Sequence, residues 1–205
     1  MKKILLAFCS AALSLAAAAQ SGYVPAPENI AARQQFADNR FGIFLHWGLY
    51  SLLGQGEWVM TNQDIDFREY RKLAGAFAAP AFNAREWVSA FRQAGARYVC
   101  FTTRHHDGFS LFDTAQSDYN VVDASPLGRD VVRELADECR RQGLGIHFYY
   151  SLIDWWREDA PRGRTGRGTG RDPRKEDADA YFDFMKAQLT ELLTQYGPVG
   201  AIWFD

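Results

Sequence analysis

The chain has 205 residues, of which 47% are hydrophobic, 15% aromatic and 23% charged, and its formal net charge is −2. This length suits one domain, and the aromatic content excludes an intrinsically disordered chain, which lacks the apolar surface needed to offset chain entropy. The near-neutral charge argues against a nucleic-acid partner, because nucleic-acid-binding domains are strongly basic.

The N-terminus has the pattern of a secretory signal peptide. Lys2 and Lys3 precede an apolar run over residues 4–16, and the alanines at 17–19 offer a small-residue cleavage site. The run is too short for a stable membrane span, so we predict a signal peptide over residues 1–19 and no membrane association after cleavage. An uncleaved anchor is the alternative. We expect export to the periplasm or the exterior, or to a lysosome-like compartment if the source is eukaryotic.

Short apolar runs alternate with predicted helices. Strands are predicted over residues 41–46, 98–103, 145–151 and 201–205, each apolar on both faces as buried parallel strands are. The intervening helices are predicted from their terminal residues. Their N-caps are Asn83, Asp130 and Asp177, and they end at Gly95, Gly143 and Gly197.

The alternation of helix and strand indicates right-handed parallel βαβ units. The first strand ends in His46-Trp47-Gly48 and not in a Gly-rich phosphate turn, which favours a barrel over a doubly wound open sheet. A complete barrel has eight strands and about 250 residues. We therefore expect an α/β fold of the (β/α)8 TIM-like barrel type, with residues 20–205 as its first half. In the alternative, two copies of the half barrel complete each other by dimerisation, so an oligomer is possible.

Polar residues collect at the predicted carboxyl ends of the strands, the face on which barrel enzymes carry their chemistry. His46 ends the first strand, and His105, His106 and Asp107 follow the second. Tyr149 and Ser151 end the third strand, and Trp203 and Asp205 end the fourth. Side chains alternate along a strand. Phe44 should therefore lie beneath His46 and Trp203 beneath Asp205, while Glu57 and Trp58, in the loop after the first strand, could reach the same mouth.

A metal site is the main rival, because His and Asp at barrel mouths often bind zinc. The first strand has a single histidine, and the neighbouring His105 and His106 should diverge in extended backbone, so we expect no metal. A sugar fits better, because aromatic faces pack on its C–H surface while imidazoles and carboxylates bind its hydroxyls. An exposed strand-end aspartate could then act as the nucleophile of a retaining glycosidase.

Five motifs, in order, resemble the α-L-fucosidases of glycoside hydrolase family 29. They are Phe-Gly-Ile-Phe-Leu-His-Trp-Gly (41–48), Gly-Glu-Trp (56–58), His-His-Asp-Gly-Phe (105–109), Tyr-Tyr-Ser (149–151) with Asp154-Trp155, and Trp-Phe-Asp (203–205). The resemblance implies a (β/α)8-like catalytic domain, usually followed by a C-terminal β-sandwich, and a retaining mechanism without a cofactor. The implied partner is a fucosylated glycan or oligosaccharide.

The resemblance also implies residue roles. Asp205 matches the catalytic nucleophile, which forms a covalent fucosyl-enzyme. The matched sugar-binding positions are His46, Glu57, His105, His106 and Tyr149 for fucose hydroxyls, Trp203 for the pocket wall and Phe44 for the C6 methyl group. The family's acid/base glutamate usually lies well beyond the nucleophile, so we expect it outside this chain. A fucose-binding protein without catalysis and a metal-dependent barrel hydrolase are the alternative functions.

The segment 157–175 has no clear counterpart in the resemblance. It holds six arginines, one lysine, four glycines and two prolines. Such a composition predicts a mobile, solvated loop. The alternative is a cationic flap beside the active site that favours sulfated or acidic glycans.

Overall fold

The structure is a computed structural model that describes residues 23–205, apart from the side chain of Arg167. The predicted signal peptide lies outside the described residues. The chain divides into two units, with the boundary between Asp38 and Asn39. In the first unit, the described residues form helix α1 (Pro27–Asp38), which has no buried residue.

The second unit alternates strands and helices around a parallel sheet. In chain order its regular elements are β1 (Gly42–Leu45), α2 (Val59–Asn62), α3 (Phe67–Arg71), α4 (Ala84–Gln93), β2 (Tyr98–Arg104), α5 (Val131–Gln142), β3 (Gly145–Tyr150), α6 (Ala178–Gln195) and β4 (Ile202–Phe204). Short 3₁₀ turns occupy Leu49–Leu52, Lys72–Ala76, Arg167–Thr169 and Pro173–Lys175.

The four strands lie in sequence order, and every neighbouring pair is parallel. Helices α4, α5 and α6 precede β2, β3 and β4 respectively, which is the pattern of repeated βαβ crossovers. The predicted α/β class with a parallel sheet is confirmed. Closure into an eight-stranded barrel stays a prediction.

The predicted N-caps are confirmed for all three long helices of this unit. The side chain of Asn83 accepts from the Glu86 amide at 3.2 Å and that of Asp130 from the Arg133 amide at 2.8 Å. Asp177 accepts from the Ala180 amide at 3.1 Å. Each cap satisfies a backbone donor that the first helical turn leaves unpaired.

The two faces of the sheet have different partners. Val99, Phe101, Ile146 and Phe148 lie on the face that packs against the helices, where they join one buried apolar cluster. The opposite face carries the other strand positions, because side chains alternate. Those positions include Phe44, Cys100, Tyr149 and Trp203, and this second face forms the floor of the site described below.

Strand β2 contains a register shift that decides where its last residues point. Thr102 pairs with Tyr149, but Arg104 pairs with the next residue, Tyr150, so β2 has one extra residue at Thr103. Such a bulge turns the following side chains to the opposite face. Arg104 is therefore fully buried on the helix side. His105, one residue later, turns back towards the sheet face that carries Tyr149.

The strands are shorter than predicted at three of their carboxyl ends. His46 lies one residue beyond β1, Ser151 one beyond β3 and Asp205 one beyond β4, while β2 continues to Arg104. These residues lie just outside the ladder, at the carboxyl edge of the sheet. Across residues 23–205, no helix combines the length and apolar character needed to cross a membrane.

Candidate active site

Asp205 and Tyr149 meet at the carboxyl edge of the sheet. The Tyr149 hydroxyl donates to Oδ2 of Asp205 at 3.0 Å, and the Leu152 amide donates to the Asp205 carbonyl at 2.6 Å. The Asp205 side chain is 57% exposed. The predicted nucleophile is thus an oriented carboxylate that a ligand can reach.

The three predicted histidines form a cluster of ring contacts beside this carboxylate. The ring centroids of His46 and His105 are 5.3 Å apart, and those of His105 and His106 are 4.3 Å apart. His105 also stacks on Tyr149 at 5.6 Å. Our expectation that the neighbouring histidines diverge is wrong, because His105 and His106 lie beyond the extended part of β2.

Burial keeps these histidines neutral. Loss of hydration lowers the pKa of His105 well below its usual range, and the neighbouring His106 and His46 lower it further. Loss of hydration also lowers the pKa of His106 to about 4, against the opposing effect of Asp205. The pKa of His46 is lowered for the same main reason. At neutral pH the cluster therefore offers uncharged hydrogen-bonding groups.

Two buried histidine side chains have unsatisfied nitrogens. Among the described residues, Nδ1 and Nε2 of His105 and Nε2 of His106 have no hydrogen-bond partner. Nε2 of His106 lies 3.7 Å from Oδ2 of Asp205, which is too long for a hydrogen bond. Buried polar atoms are nearly always hydrogen-bonded, so these nitrogens are suited to a hydroxyl-bearing ligand.

Aromatic rings form the floor under the polar groups, as the alternation of strand side chains predicts. The Phe44 ring lies 5.1 Å from His46, 5.3 Å from Trp203 and 6.0 Å from Tyr149, between centroids. Phe44 is 43% and Trp203 56% exposed. Exposed aromatic faces beneath hydroxyl-binding groups suit a sugar ring with one apolar side.

Glu57 and Trp58 also reach the site. The Trp58 ring meets His106 edge-on at 5.2 Å and Trp155 at 5.4 Å. The half-buried Glu57 is close enough to raise the pKa of His46 and His106 against the larger effect of burial. All nine sequence-predicted site residues are therefore drawn into one neighbourhood, linked by ring contacts, a hydrogen bond or electrostatic interaction.

Sequence reasoning missed the group that supports this neighbourhood from below. Arg104 is fully buried and pairs with Asp154 at 2.5 Å, and it donates to the Ser151 carbonyl at 2.6 Å and the Tyr181 hydroxyl at 2.9 Å. Asp154 in turn accepts from the backbone amides of Trp156 and Arg157. An arginine inside an otherwise apolar strand was the available signal, since arginine is almost never buried without a partner.

Asp107, the aspartate of the His-His-Asp motif, stabilises the turn that carries the two histidines. Asp107 is buried and accepts from the Tyr70 hydroxyl and from the Phe109 amide, each at 3.1 Å. Burial raises the pKa of Asp107 to about 7, although both hydrogen bonds oppose the rise. Asp107 therefore braces the turn that presents the histidines.

The Arg-rich segment 157–175 is solvated only in part. Many of its residues are exposed, but Ala160, Thr169 and Arg171 are buried in it. Four of its seven cations form ion pairs with carboxylates of the described residues. The ion pairs are Arg157–Asp159, Arg162–Glu176, Arg174–Asp172 and Lys175–Glu158. The alternative of a cationic flap that favours sulfated or acidic glycans stays a prediction.

Within residues 23–205, no cluster of three His, Cys, Asp or Glu residues is arranged to hold a metal ion. What the site offers is an exposed carboxylate, neutral imidazoles with unsatisfied nitrogens and an aromatic floor. A family model described as Alpha-L-fucosidase matches residues 10–205. The chain belongs to the α-L-fucosidase family.

Curated α-L-fucosidases match at moderate identity. The α-L-fucosidase of Dictyostelium discoideum is 31% identical over 232 aligned positions, covering 100% of this chain and 48% of that protein. Human plasma α-L-fucosidase is 34% identical over 154 positions, covering 64% of this chain and 32% of that protein. The chain therefore spans about half, or less, of the length of these curated relatives.

Solved α-L-fucosidases have the same fold over most of the chain. Isoenzyme 1 from Paenibacillus thiaminolyticus superposes with a TM-score of 0.79 at 40% identity, covering 85% of this chain and 42% of that one. The Lactobacillus casei α-L-fucosidase AlfC in complex with α-L-fucose gives 0.78 at 33% identity, covering 85% and 61%. The resemblance inferred from the motifs is confirmed.

Proposed function

We propose that the protein is a retaining exo-glycosidase that removes terminal α-L-fucose from glycans or oligosaccharides. Family membership supports the substrate class, and a mutant of AlfC has been solved with 4-nitrophenyl α-L-fucopyranoside. The observation that carries the proposal is Asp205, an exposed carboxylate fixed by Tyr149 next to buried histidine nitrogens without partners. No cofactor takes part.

In the proposed reaction, an oxygen of Asp205 attacks the anomeric carbon and forms a covalent fucosyl–aspartate ester. The glycosidic carbon–oxygen bond breaks, and the leaving oxygen takes a proton from a carboxylic acid. The same carboxylate then removes a proton from water, which attacks the anomeric carbon and releases Asp205. Two displacements at one carbon give net retention of configuration.

The remaining residues bind and orient the sugar in this proposal. His46, His105 and His106, with Glu57 and Tyr149, accept or donate hydrogen bonds to fucose hydroxyls. Trp58 and Trp203 form aromatic walls, and Phe44 contacts the C6 methyl group. Several fixed contacts around one ring lower the entropy cost of bringing the anomeric carbon to Asp205.

The acid/base is proposed to be a glutamate outside these 205 residues, in keeping with the greater length of the relatives. Glu57 is the candidate within the chain. Residues 1–19 are proposed to direct export to the periplasm or exterior. A domain arrangement with the remaining barrel and a C-terminal β-sandwich also belongs to this proposal.

The test uses protein expressed from the complete reading frame and 4-nitrophenyl α-L-fucoside. We expect nitrophenol release, with the α-anomer of fucose appearing first by proton NMR. Asp205→Asn should lower kcat/KM by about a thousandfold or more, or ~4 kcal/mol of transition-state stabilisation. Asp179→Asn is the matched control, because Asp179 is an exposed aspartate in α6.

Three outcomes separate the alternatives. Full turnover by Asp205→Asn removes Asp205 from the nucleophile role. Fucose binding without turnover by the wild-type protein favours a binding protein. Loss of turnover with a chelator, restored by a divalent metal, favours a metal-dependent hydrolase.

A further inference from the structure

Ser151 is a fully buried residue just beyond β3, and its hydroxyl touches the ring of His106. We propose that Ser151 is a positioning residue that holds His106 in its Nδ1-protonated neutral form, so that Nε2 faces Asp205 as a hydrogen-bond acceptor. The importance of this arrangement for catalysis rests on the proposed function. The tautomer itself does not.

The assignment follows from the single hydrogen of the Ser151 hydroxyl. Its oxygen lies 2.6 Å from the Ile153 carbonyl oxygen and 2.5 Å from Nδ1 of His106. A carbonyl oxygen can only accept, so the hydroxyl hydrogen must point to Ile153. Nδ1 must then supply the hydrogen of the other contact. The opposite assignment would press two acceptors together at 2.6 Å with no hydrogen between them.

The Ser151 oxygen is also well suited to receive that hydrogen. It accepts from the Ile153 amide at 3.1 Å, which fixes its position in the turn. The Ser151 backbone is held as firmly, because its carbonyl accepts from Arg104 at 2.6 Å and its amide donates to the Arg104 carbonyl at 3.1 Å. The acceptor for Nδ1 is thus built into the supporting layer below the site.

A neutral ring protonated at Nδ1 has a bare Nε2. Burial lowers the pKa of His106 to about 4, and the nearby Arg104 cation contributes to the lowering, so the ring is neutral at pH 7. Nε2 then lies 3.7 Å from Oδ2 of Asp205 without a hydrogen to share. Two acceptors face the same space, which a donating hydroxyl of the substrate can occupy.

The opposite tautomer of His106, protonated at Nε2, would change the electrostatic surroundings of the Asp205 carboxylate. An Nε2–H group 3.7 Å from Oδ2 would point its positive end at the Asp205 carboxylate, and this attraction would lower the reactivity of the oxygens that attack the anomeric carbon. The carboxylate alone would favour that tautomer, because it attracts the N–H dipole. Ser151 therefore opposes the nucleophile's own influence on the histidine, and it leaves Tyr149 as the side-chain donor to Oδ2 among the described residues.

The test reads the tautomer directly. Protein from the complete reading frame, labelled with ¹⁵N-histidine, is measured at pH 7 by long-range ¹H–¹⁵N correlation, and His106→Asn assigns the His106 signals. We expect the wild-type ring to be protonated at Nδ1. Ser151→Ala should shift His106 towards the Nε2–H form and lower kcat/KM about tenfold, the usual scale for one lost hydrogen bond. Ser151→Thr, which keeps a hydroxyl, should restore both.

Ser110→Ala is the matched control, because Ser110 is also fully buried and its hydroxyl accepts from Gln188 at 3.1 Å. It should leave the His106 tautomer and kcat/KM unchanged. Wild-type His106 protonated at Nε2, or an unchanged tautomer in a folded Ser151→Ala variant, overturns the inference. An Nδ1-protonated wild type that shifts in Ser151→Ala supports it even if no fucoside is hydrolysed, in which case the proposed function alone fails.

Discussion

The Tyr149 hydroxyl donates to Oδ2 of Asp205 at 3.0 Å, and this bond joins the second-last residue of β3 to the residue just beyond the neighbouring strand β4. Tyr149 is buried while the Asp205 side chain is 57% exposed. The bond therefore fixes an otherwise open carboxylate against a rigid ring. Burial, with the carboxylate second, raises the pKa of Tyr149 above its usual range, so the phenol remains a donor across neutral pH.

Tyr149→Phe should lower kcat/KM about tenfold, because the variant loses one hydrogen bond to the nucleophile and keeps the ring contacts with His46 and His105. Steady-state kinetics with 4-nitrophenyl α-L-fucoside measure the change. Tyr196→Phe is the control, since Tyr196 also donates to an aspartate at 2.6 Å, but this aspartate is Asp130, the N-cap of α5. It should lower the midpoint of urea unfolding and leave kcat/KM near the wild-type value. Equal kcat/KM in both variants would contradict the role given to Tyr149.

Removing one partner of the buried Arg104–Asp154 ion pair should lower the stability of the fold strongly. Arg104→Met leaves an unpaired buried carboxylate, and we expect a loss of about 3–5 kcal/mol in the free energy of unfolding. The double variant Arg104→Met with Asp154→Leu should lose less than the sum of the two single variants, because neither buried charge remains. Urea unfolding of the four proteins forms the cycle.

An exposed pair provides the control for that cycle. Lys186 and Asp183 lie within 2.6 Å on α6 with side chains 72% and 75% exposed. Lys186→Met should leave the unfolding midpoint nearly unchanged, because water solvates the remaining carboxylate. Additive losses in the Arg104–Asp154 cycle would argue that the two side chains stabilise the fold independently.

The buried histidines predict acid sensitivity. The pKa of His105 and of His106 is lower in the folded protein than the usual value of about 6.5. The unfolded chain then binds more protons between about pH 6.5 and pH 4, so stability is present above this window and is lost as the pH falls through it. Each group contributes a slope of at most about 1.4 kcal/mol per pH unit.

The midpoint of urea unfolding, measured between pH 7 and pH 4.5, tests whether stability falls with the pH. We expect the midpoint to fall on acidification and His106→Asn to reduce the fall. A wild-type midpoint that rises as the pH drops from 6.5 to 5 would show that the histidines do not dominate this range.

The strand ends and their polar residues could be predicted because apolar runs and helix caps are local signals. Asn83 and Asp130 cap helices as the sequence indicates, and Asp205 lies at the predicted edge. Phe44 lies beneath His46 because alternation along a strand needs no tertiary information. Short α2 and α3 carried too few residues for a periodic pattern, and the sequence analysis did not predict them.

The orientation of His105 and His106 could not be predicted, because it depends on a one-residue bulge at Thr103. No local pattern marks that bulge, and without it His105 would fall on the helix face. The ion pairs of the Arg-rich segment could not be predicted for a related reason. Its composition suggests solvation, but folding brings carboxylates such as Glu158 and Glu176 close to some of its cations.

Asp107 should oppose the histidines in its effect on stability. Burial raises the pKa of Asp107 to about 7, so between about pH 4 and pH 7 the folded protein binds a proton that the unfolded chain has released. This contribution to stability is therefore present at low pH and is lost as the pH rises towards 7 and above. The side chain of Asp107→Asn stays neutral. The free energy of unfolding of this variant, relative to that of the wild type, should therefore rise between pH 5 and pH 7, by at most about 1.4 kcal/mol per pH unit.

The difference between the two proteins isolates this group from the histidines, which both proteins share. Urea unfolding of the variant and the wild type at pH 5, 6, 7 and 8 measures it. Asp179→Asn serves as the control, because an exposed side chain is in contact with water in both states. It measures what replacing an exposed carboxylate by an amide does to unfolding at each pH. If the Asp107→Asn difference from the wild type is constant with pH, then Asp107 is ionised in the folded protein throughout, and the Tyr70 and Phe109 bonds outweigh its burial.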